Sequence, residues 1–153
     1  MPANAYTFAQ LRDLGETDLG ESEWFTVGQE RVNQFADATE DRQWIHVDPV
    51  RSASGPYGTT VAHGYLTLSL VPRLLSDMLV ISDEARGANY GLDRVRFTSP
   101  VLIGSQVQLR GRLVSVVSRP DGGLQYKVAV EIHVRDQDRP ALVAEAIYLS
   151  YAT

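Results

Sequence analysis

Between Leu124 and Val134 every second position is apolar. Leu124, Tyr126, Val128, Val130, Ile132 and Val134 alternate with Gln125, Lys127, Glu131 and His133, and Arg135 continues the polar set. Period two over such a length predicts a strand with one apolar and one polar face. Asp121-Gly122-Gly123 just before it is a hairpin-turn signal. Residues 106–113 alternate in the same way, with Val107, Leu109, Gly111 and Leu113 opposite Gln and Arg. Residues 92–97 place Asp93, Val95 and Phe97 on one face and Leu92, Arg94 and Arg96 on the other. A turn at 136–140 leads into a last strand at 141–151. An antiparallel sheet with one solvated face must cover the other. Only residues 64–79 supply enough apolar surface. Leu66, Leu68, Leu70, Val71, Leu74, Leu75, Met78 and Leu79 would cover most of a helix there. Such a helix is expected to be buried nearly all round. Pro72 inside it is expected to kink the axis near Leu68. The expectation is an α+β fold, an antiparallel sheet curled around a long central helix.

The first half of the chain adds smaller elements. Residues 7–14 suit a short helix and 23–27 a strand. Gln29–Thr39 has helical spacing, with Val32, Phe35 and Ala36 on one side. Asp48-Pro49 opens a further turn of helix, with Asp48 as its cap. Residues 52–60 form a loop rich in Gly, Ser and Pro. No repeat or linker divides the 153 residues, so one domain over 1–153 is expected.

Composition removes several function classes. A net charge of −5 disfavours nucleic-acid binding, which needs a basic face. The absence of cysteine excludes disulfides, thiolate metal sites and a cysteine nucleophile, and fits a cytoplasmic setting. No basic region followed by an apolar stretch opens the chain, so no signal peptide is expected. Residues 65–81 are too short and too interrupted to span a bilayer. His46, His63 and His133 are the only histidines, and no two are spaced i, i+3 or i+4. A metal site built on histidine pairs is therefore not expected.

The chemistry-bearing stretch is Asp41-Arg-Gln-Trp-Ile-His46-Val-Asp-Pro49, followed by Val61-Ala-His-Gly64. Five residues separate Asp41 from His46, about 140° at 3.6 residues per helical turn. Along a strand the same spacing points the side chains to opposite faces. The two converge only if Asp41 ends a helix and the chain turns through 42–45. Thr39, Glu40 and Asp41 fit such a helix end. Negative charge there opposes the helix dipole, a local cost tolerated more readily at a functional site. Gly64 starts the apolar helix, and a helix N-terminus favours developing negative charge. A carboxylate, an imidazole and such a terminus are the parts needed to move a proton and stabilise an oxyanion.

Asp41 to Pro49 resembles the hydratase motif of MaoC-like, (R)-specific enoyl-CoA hydratases of the hotdog fold. That motif usually reads Asp-x-Asn-Pro-Leu/Ile-His. Gln43 and Trp44 stand where Asn and Pro are usual, a variant similar to the NodN-like branch. The likeness continues through Gly55-Pro-Tyr-Gly58, Val61-Ala-His-Gly64, Leu66-Thr-Leu-Ser-Leu70 and Asn89-Tyr-Gly-Leu92 to Arg94-Val-Arg-Phe97. It covers roughly residues 20–100, with a fitting strand order to the C-terminus. It implies reversible addition of water to a trans-2-enoyl thioester, giving an (R)-3-hydroxyacyl thioester. Asp41 would take a proton from water and later deliver one to the alpha carbon. His46 would hold that water, and the Gly64 N–H would stabilise the enolate oxygen. Gln43, Trp44, Tyr57, His63, Arg94 and Arg96 are substrate-binding candidates, the two arginines for coenzyme A phosphates. No metal or other cofactor is implied. The expected partners are an acyl-CoA or acyl-carrier-protein thioester and a second copy of the chain, as a homodimer.

The residues also have plainer readings. His63 would bond the loop backbone, Trp44 would pack, and His133 would be exposed on the polar face of its strand. Asp93, if buried, would need Arg94 or Arg96 as partner. Three other functions compete. A dehydratase of fatty-acid synthesis would run the reaction backwards. A non-catalytic acyl-binding subunit would not need the Asp–His pair. A thioesterase would lack an evident serine nucleophile here.

Overall fold

The computed structural model describes residues 4–153, so the first three positions read for a leader segment lie outside it. β1 (Asn4–Tyr6) pairs in parallel with β4 (Leu79–Ile81). Between them lies α1 (Phe8–Arg12). Thr7 caps it in a reciprocal box with Gln10, which satisfies two backbone donors at once. β2 (Thr17–Glu21) and β3 (Phe25–Thr26) follow. Then come α2 (Gln29–Thr39), α3 (Trp44–Val47) and α4 (Pro49–Ser52). α2 has the expected bounds and buries Val32 and Ala36. Asp48 caps α4 by accepting from the Arg51 N–H at 3.0 Å. The strand expected at 23–27 shrinks to the two residues of β3. β1, β2 and β4 lack a readable alternation and were not foreseen.

The large sheet has the order β2-β6-β7-β8-β5, with β3 also paired to β6. Its long members are β5 (Arg86–Phe97), β6 (Gln106–Ser118), β7 (Leu124–Val134) and β8 (Leu142–Tyr151). Gly122 makes the β6–β7 turn at φ +87°, a conformation that suits glycine. The alternation read from the sequence points into the core. Val107, Leu109, Leu113, Val128, Ile132 and Leu142 are all fully buried.

The central helix differs from the expectation. It is two short pieces, α5 (Gly64–Ser69) and α6 (Val71–Leu75), joined at Leu70. Pro72 occupies the second position of α6, where a missing N–H leaves no intrahelical bond unmade. Met78 and Leu79 leave the helix, and Leu79 opens β4. The segment is also not buried all round. Leu66, Leu70, Val71, Leu74 and Leu75 face the sheet, while Tyr65, Ser69, Pro72, Arg73 and Ser76 form a solvent stripe. No helix among the described residues is long and apolar enough to cross a membrane.

Two polar residues also depart from expectation. His133 is buried, bonded to Glu131 at 2.7 Å. Its cross-strand partner Gln108 is buried as well and donates to the Ser22 carbonyl at 3.0 Å. The segment around Ser22 thus folds over this end of the polar face. Asp93 is exposed, and its partner is Lys127 at 3.0 Å rather than Arg94 or Arg96. Lys127 lies on β7, the next strand but one across β8.

Leu74 touches the centre of this core, and removing its side chain leaves a void. Leu74→Ala is expected to destabilise by about 2–5 kcal/mol in urea unfolding. Val117→Ala, at an exposed strand position, should stay within about 0.5 kcal/mol.

Candidate active site

α2 ends at Thr39, and Glu40 adopts the left-handed conformation at φ 61°. That residue turns the chain, so Asp41 leaves the helix axis and residues 42 and 43 lead directly into α3. The convergence of Asp41 and His46 inferred from the helix end is therefore present. α3 was expected only as a turn, yet it carries His46 in its single helical turn. Gln29 at the start of α2 fixes it from behind, donating to the His46 carbonyl at 2.7 Å and accepting from Thr60 at 2.5 Å.

His46 is 7% exposed. Its Nδ1 lies 2.7 Å from the Val61 carbonyl. A carbonyl can only accept, so Nδ1 carries the proton and Nε2 keeps a lone pair. His63 is 2% exposed, and its Nε2 donates to the Asp41 carbonyl at 2.9 Å. The two imidazoles stack, with centroids 3.8 Å apart and planes at 22°. Phe35 packs on the other side of His63 at 4.9 Å. Burial is the main cause that holds the His46 pKa below its ordinary value. The Val61 bond opposes this shift, neighbouring His63 adds to it, and Asp41 opposes it. His46 is thereby neutral near pH 7.

One ligand-type atom from each of Asp41, His46 and His63 lies within 4.8 Å of the other two. The spacing argument against a histidine metal pair fails here, because tertiary folding joins residues 46 and 63 where helical spacing does not. With its Nε2 given to the Asp41 carbonyl, His63 keeps an Nδ1 that is buried and has no partner among the described residues. The arrangement can hold a water molecule beside a carboxylate and a neutral imidazole.

A cavity of about 340 Å³ adjoins the pair, and His46, Tyr57, Gly64, Thr67, Phe97 and Pro100 are among the residues lining it. Asp41 is part-exposed and is not in this wall; it meets His46 from the end of α2. Gly64 is the first residue of α5, where N–H groups have no intrahelical acceptor. A side chain there would meet the Phe97 ring at 3.1 Å, so the close approach favours glycine. Tyr57 lines the cavity and is half exposed.

The other candidates lie elsewhere. Gln43 is exposed, and its carbonyl accepts the His46 N–H at 3.0 Å. Trp44 packs beneath Arg51 at 4.2 Å and against Gly55, away from the cavity. Arg94 and Arg96 are exposed on β5 and do not line the cavity, although Phe97 beside them does. The sequence did not reveal Gln29, the histidine stack, or the 98–101 segment that closes the cavity. Pro100 was the one local signal of a chain reversal there.

Residues 13–134 match the family described as MaoC like domain. The chain belongs to that family. It is 46% identical over 144 residues to the 3-hydroxyacyl-thioester dehydratase Z of Mycobacterium tuberculosis, covering 92% of this chain and 95% of that protein. It is 47% identical over 132 residues to Nodulation protein N of Rhizobium leguminosarum bv. viciae, covering 85% of this chain and 82% of the other. Among solved structures, the unliganded R-hydratase of Pseudomonas aeruginosa superposes with a TM-score of 0.77 at 18% identity, over 96% of this chain and 86% of that one. The fold is the hotdog fold of that family, and the 46%-identical relative bears the name of a dehydratase.

The lowered His46 pKa has a measurable sign. The unfolded chain takes up a proton near pH 6.5 while folded His46 does not, so its contribution is full above that pH and is lost as pH falls toward the folded value. Nuclear magnetic resonance should show His46 titrating below the ordinary histidine value. Acidification from pH 7.5 to 5 should lower the urea midpoint less in His46→Gln than in wild type.

Proposed function

We propose that this chain catalyses the reversible hydration of a trans-2-enoyl-CoA to the (R)-3-hydroxyacyl-CoA. The observation that carries the reading is the proximity of the Asp41 carboxylate to the His46 imidazole, beside a cavity that His46 shares with Gly64. In this reading water sits between Asp41 and the Nε2 of His46. Asp41 removes its proton as the oxygen bonds to the beta carbon. The electron pair of the double bond moves toward the thioester carbonyl, and the Gly64 N–H stabilises the resulting enolate oxygen. Asp41 then delivers the proton to the alpha carbon, which restores the carboxylate and balances the addition of one water. Arg94 and Arg96, exposed on β5, meet the phosphates of coenzyme A in this reading. No cofactor takes part, and the setting is cytoplasmic.

The reverse direction is the second reading, dehydration of a 3-hydroxyacyl thioester carried by an acyl carrier protein in fatty-acid synthesis. The relative named as a 3-hydroxyacyl-thioester dehydratase supports it. Comparing kcat/KM on the same acyl group borne by each carrier separates the two.

The assembly in this reading is a homodimer. β5 has a free edge and is exposed almost throughout. Tyr65, Tyr90, Leu92 and Phe97 form exposed apolar surface along it. Long apolar edges are otherwise a liability and are usually covered. Light scattering should give a particle of two chains at micromolar concentration, and an active monodisperse monomer would contradict the assembly.

Loss of the enoyl-thioester absorbance on adding protein tests the activity. Asp41→Asn and His46→Gln should each lower turnover at least tenfold, within the ~10²–10⁴-fold range for a proton-transfer residue, with unchanged circular dichroism. Near-normal rates in both variants would move the chemistry elsewhere.

A further inference from the structure

Two large phenols of the core lie outside the lining of the catalytic cavity. Tyr126 on β7 and Tyr148 on β8 are cross-strand partners, 8% and 9% exposed. Their rings stack at 5.4 Å and 29°. No hydrogen bond from either hydroxyl to another described residue is present, and neither oxygen is among the fully buried unpartnered atoms, so both keep accessible surface at the cavity they border. Burial raises both pKa values, that of Tyr148 to about 12, so both hydroxyls remain donors at neutral pH.

Both phenols border a cavity of about 240 Å³. It shares Pro72, Asn89 and Tyr148 with a second cavity of about 350 Å³ between α5–α6 and β5. The two are therefore one groove. Its lining shares no residue with that of the catalytic cavity, but the two lie along the same elements: Thr67 and Leu68 on α5, Phe97 and Leu92 on β5, Ala141 and Ala146 at and on β8. The register pairs Phe97 with Leu142 and Asn89 with Tyr148. The six residue steps from Leu142 to Tyr148 span roughly 20 Å. The walls along that path are mostly apolar, with Leu68, Val71, Leu92 and Ile147 among them.

We propose that Tyr126 and Tyr148 form a distal subsite for an oxygen on the substrate's acyl group. The preferred substrate is then a long-chain 2-enoyl thioester with a ketone or hydroxyl near its far end, roughly 20 Å from the thioester by strand spacing. The thioester lies at His46 and Gly64, and the chain passes Phe97 into the groove. The phenols donate to the distal oxygen. Glu84, which borders the same cavity and acts on Tyr126 through its charge, disfavours a carboxylate at that end and favours a neutral oxygen. This inference names the substrate class of the hydratase reading and rests on it for the position of the thioester.

The test separates binding from turnover. Calorimetry on the whole protein compares a saturated long-chain acyl-CoA bearing a distal ketone with the same chain ending in methyl; neither can be hydrated. Wild type should bind the ketone roughly 3–10-fold more tightly, as expected for one or two hydrogen bonds. The double variant Tyr126→Phe/Tyr148→Phe keeps both rings and should remove that preference, with unchanged affinity for the plain chain. Tyr148→Phe alone serves the same purpose if the double variant does not fold. Equal affinities in wild type would overturn the subsite, and a preference that survives both hydroxyl deletions would overturn the role of the tyrosines. Failure of the hydratase reading appears separately, as unchanged enoyl absorbance with short, medium and long plain 2-enoyl-CoA substrates alike.

Discussion

The inner face of the large sheet has to be covered, and one short segment does most of that work. Leu66, Leu70, Val71, Leu74 and Leu75 present a continuous apolar stripe to β6, β7 and β8. Burying such side chains stabilises by about 1.5–3 kcal/mol each before entropy is charged against it. Packing therefore determines where α5 starts, and α5 starts at Gly64. The donor at the cavity wall is thus positioned by the same contacts that hold the sheet closed. Phe97, at the end of β5, locks this arrangement by resting its ring on the glycine.

Main-chain carbonyls hold the histidine pair. Val61 receives a proton from His46, and Asp41 receives one from His63. These bonds set the tautomer of each ring, so the protonation pattern follows from the backbone path rather than from solvent. The Asp41 carbonyl ties the end of α2 to the start of α5, and the Gln29 bond ties the start of α2 to α3. Displacing α2 would consequently move both members of the pair. Stacking also places two imidazoles where a second positive charge is unfavourable, which agrees with His46 remaining neutral.

Much of this was legible because one-sided burial leaves a period in the sequence. The unbroken alternation of 124–134 and the helical spacing of Gln29–Thr39 both returned their elements with the correct bounds. The helix end at Thr39 was readable from its charge, and the turn that brings Asp41 to His46 followed from it. The break at Leu70 was not readable. A proline inside an apolar run is compatible with a kinked helix or a new one, and tertiary packing decides. β2 buries only Leu19, so no period marks it. The burial of His133 and the pairing of Asp93 with Lys127 depend on neighbours far along the chain. The stack of His46 on His63 likewise joins two loops, for which local spacing has no rule.

The edge strand β5 reconciles two opposing demands. A free edge normally carries charge or a bulge that discourages pairing. β5 has both: its register shifts between Asn89 and Gly91 and again between Asp93 and Arg96, where Arg94 takes φ 54°, and Arg86, Asp93, Arg94 and Arg96 carry charge along it. Tyr90 and Leu92 lie before the second shift, at the groove between β5 and α5–α6. Phe97 ends the strand in the wall of the catalytic cavity, and Tyr90 and Leu92 wall the groove. The apolar side chains of this edge are thus kept where two cavities need a wall, while the register shifts and charges discourage indiscriminate pairing.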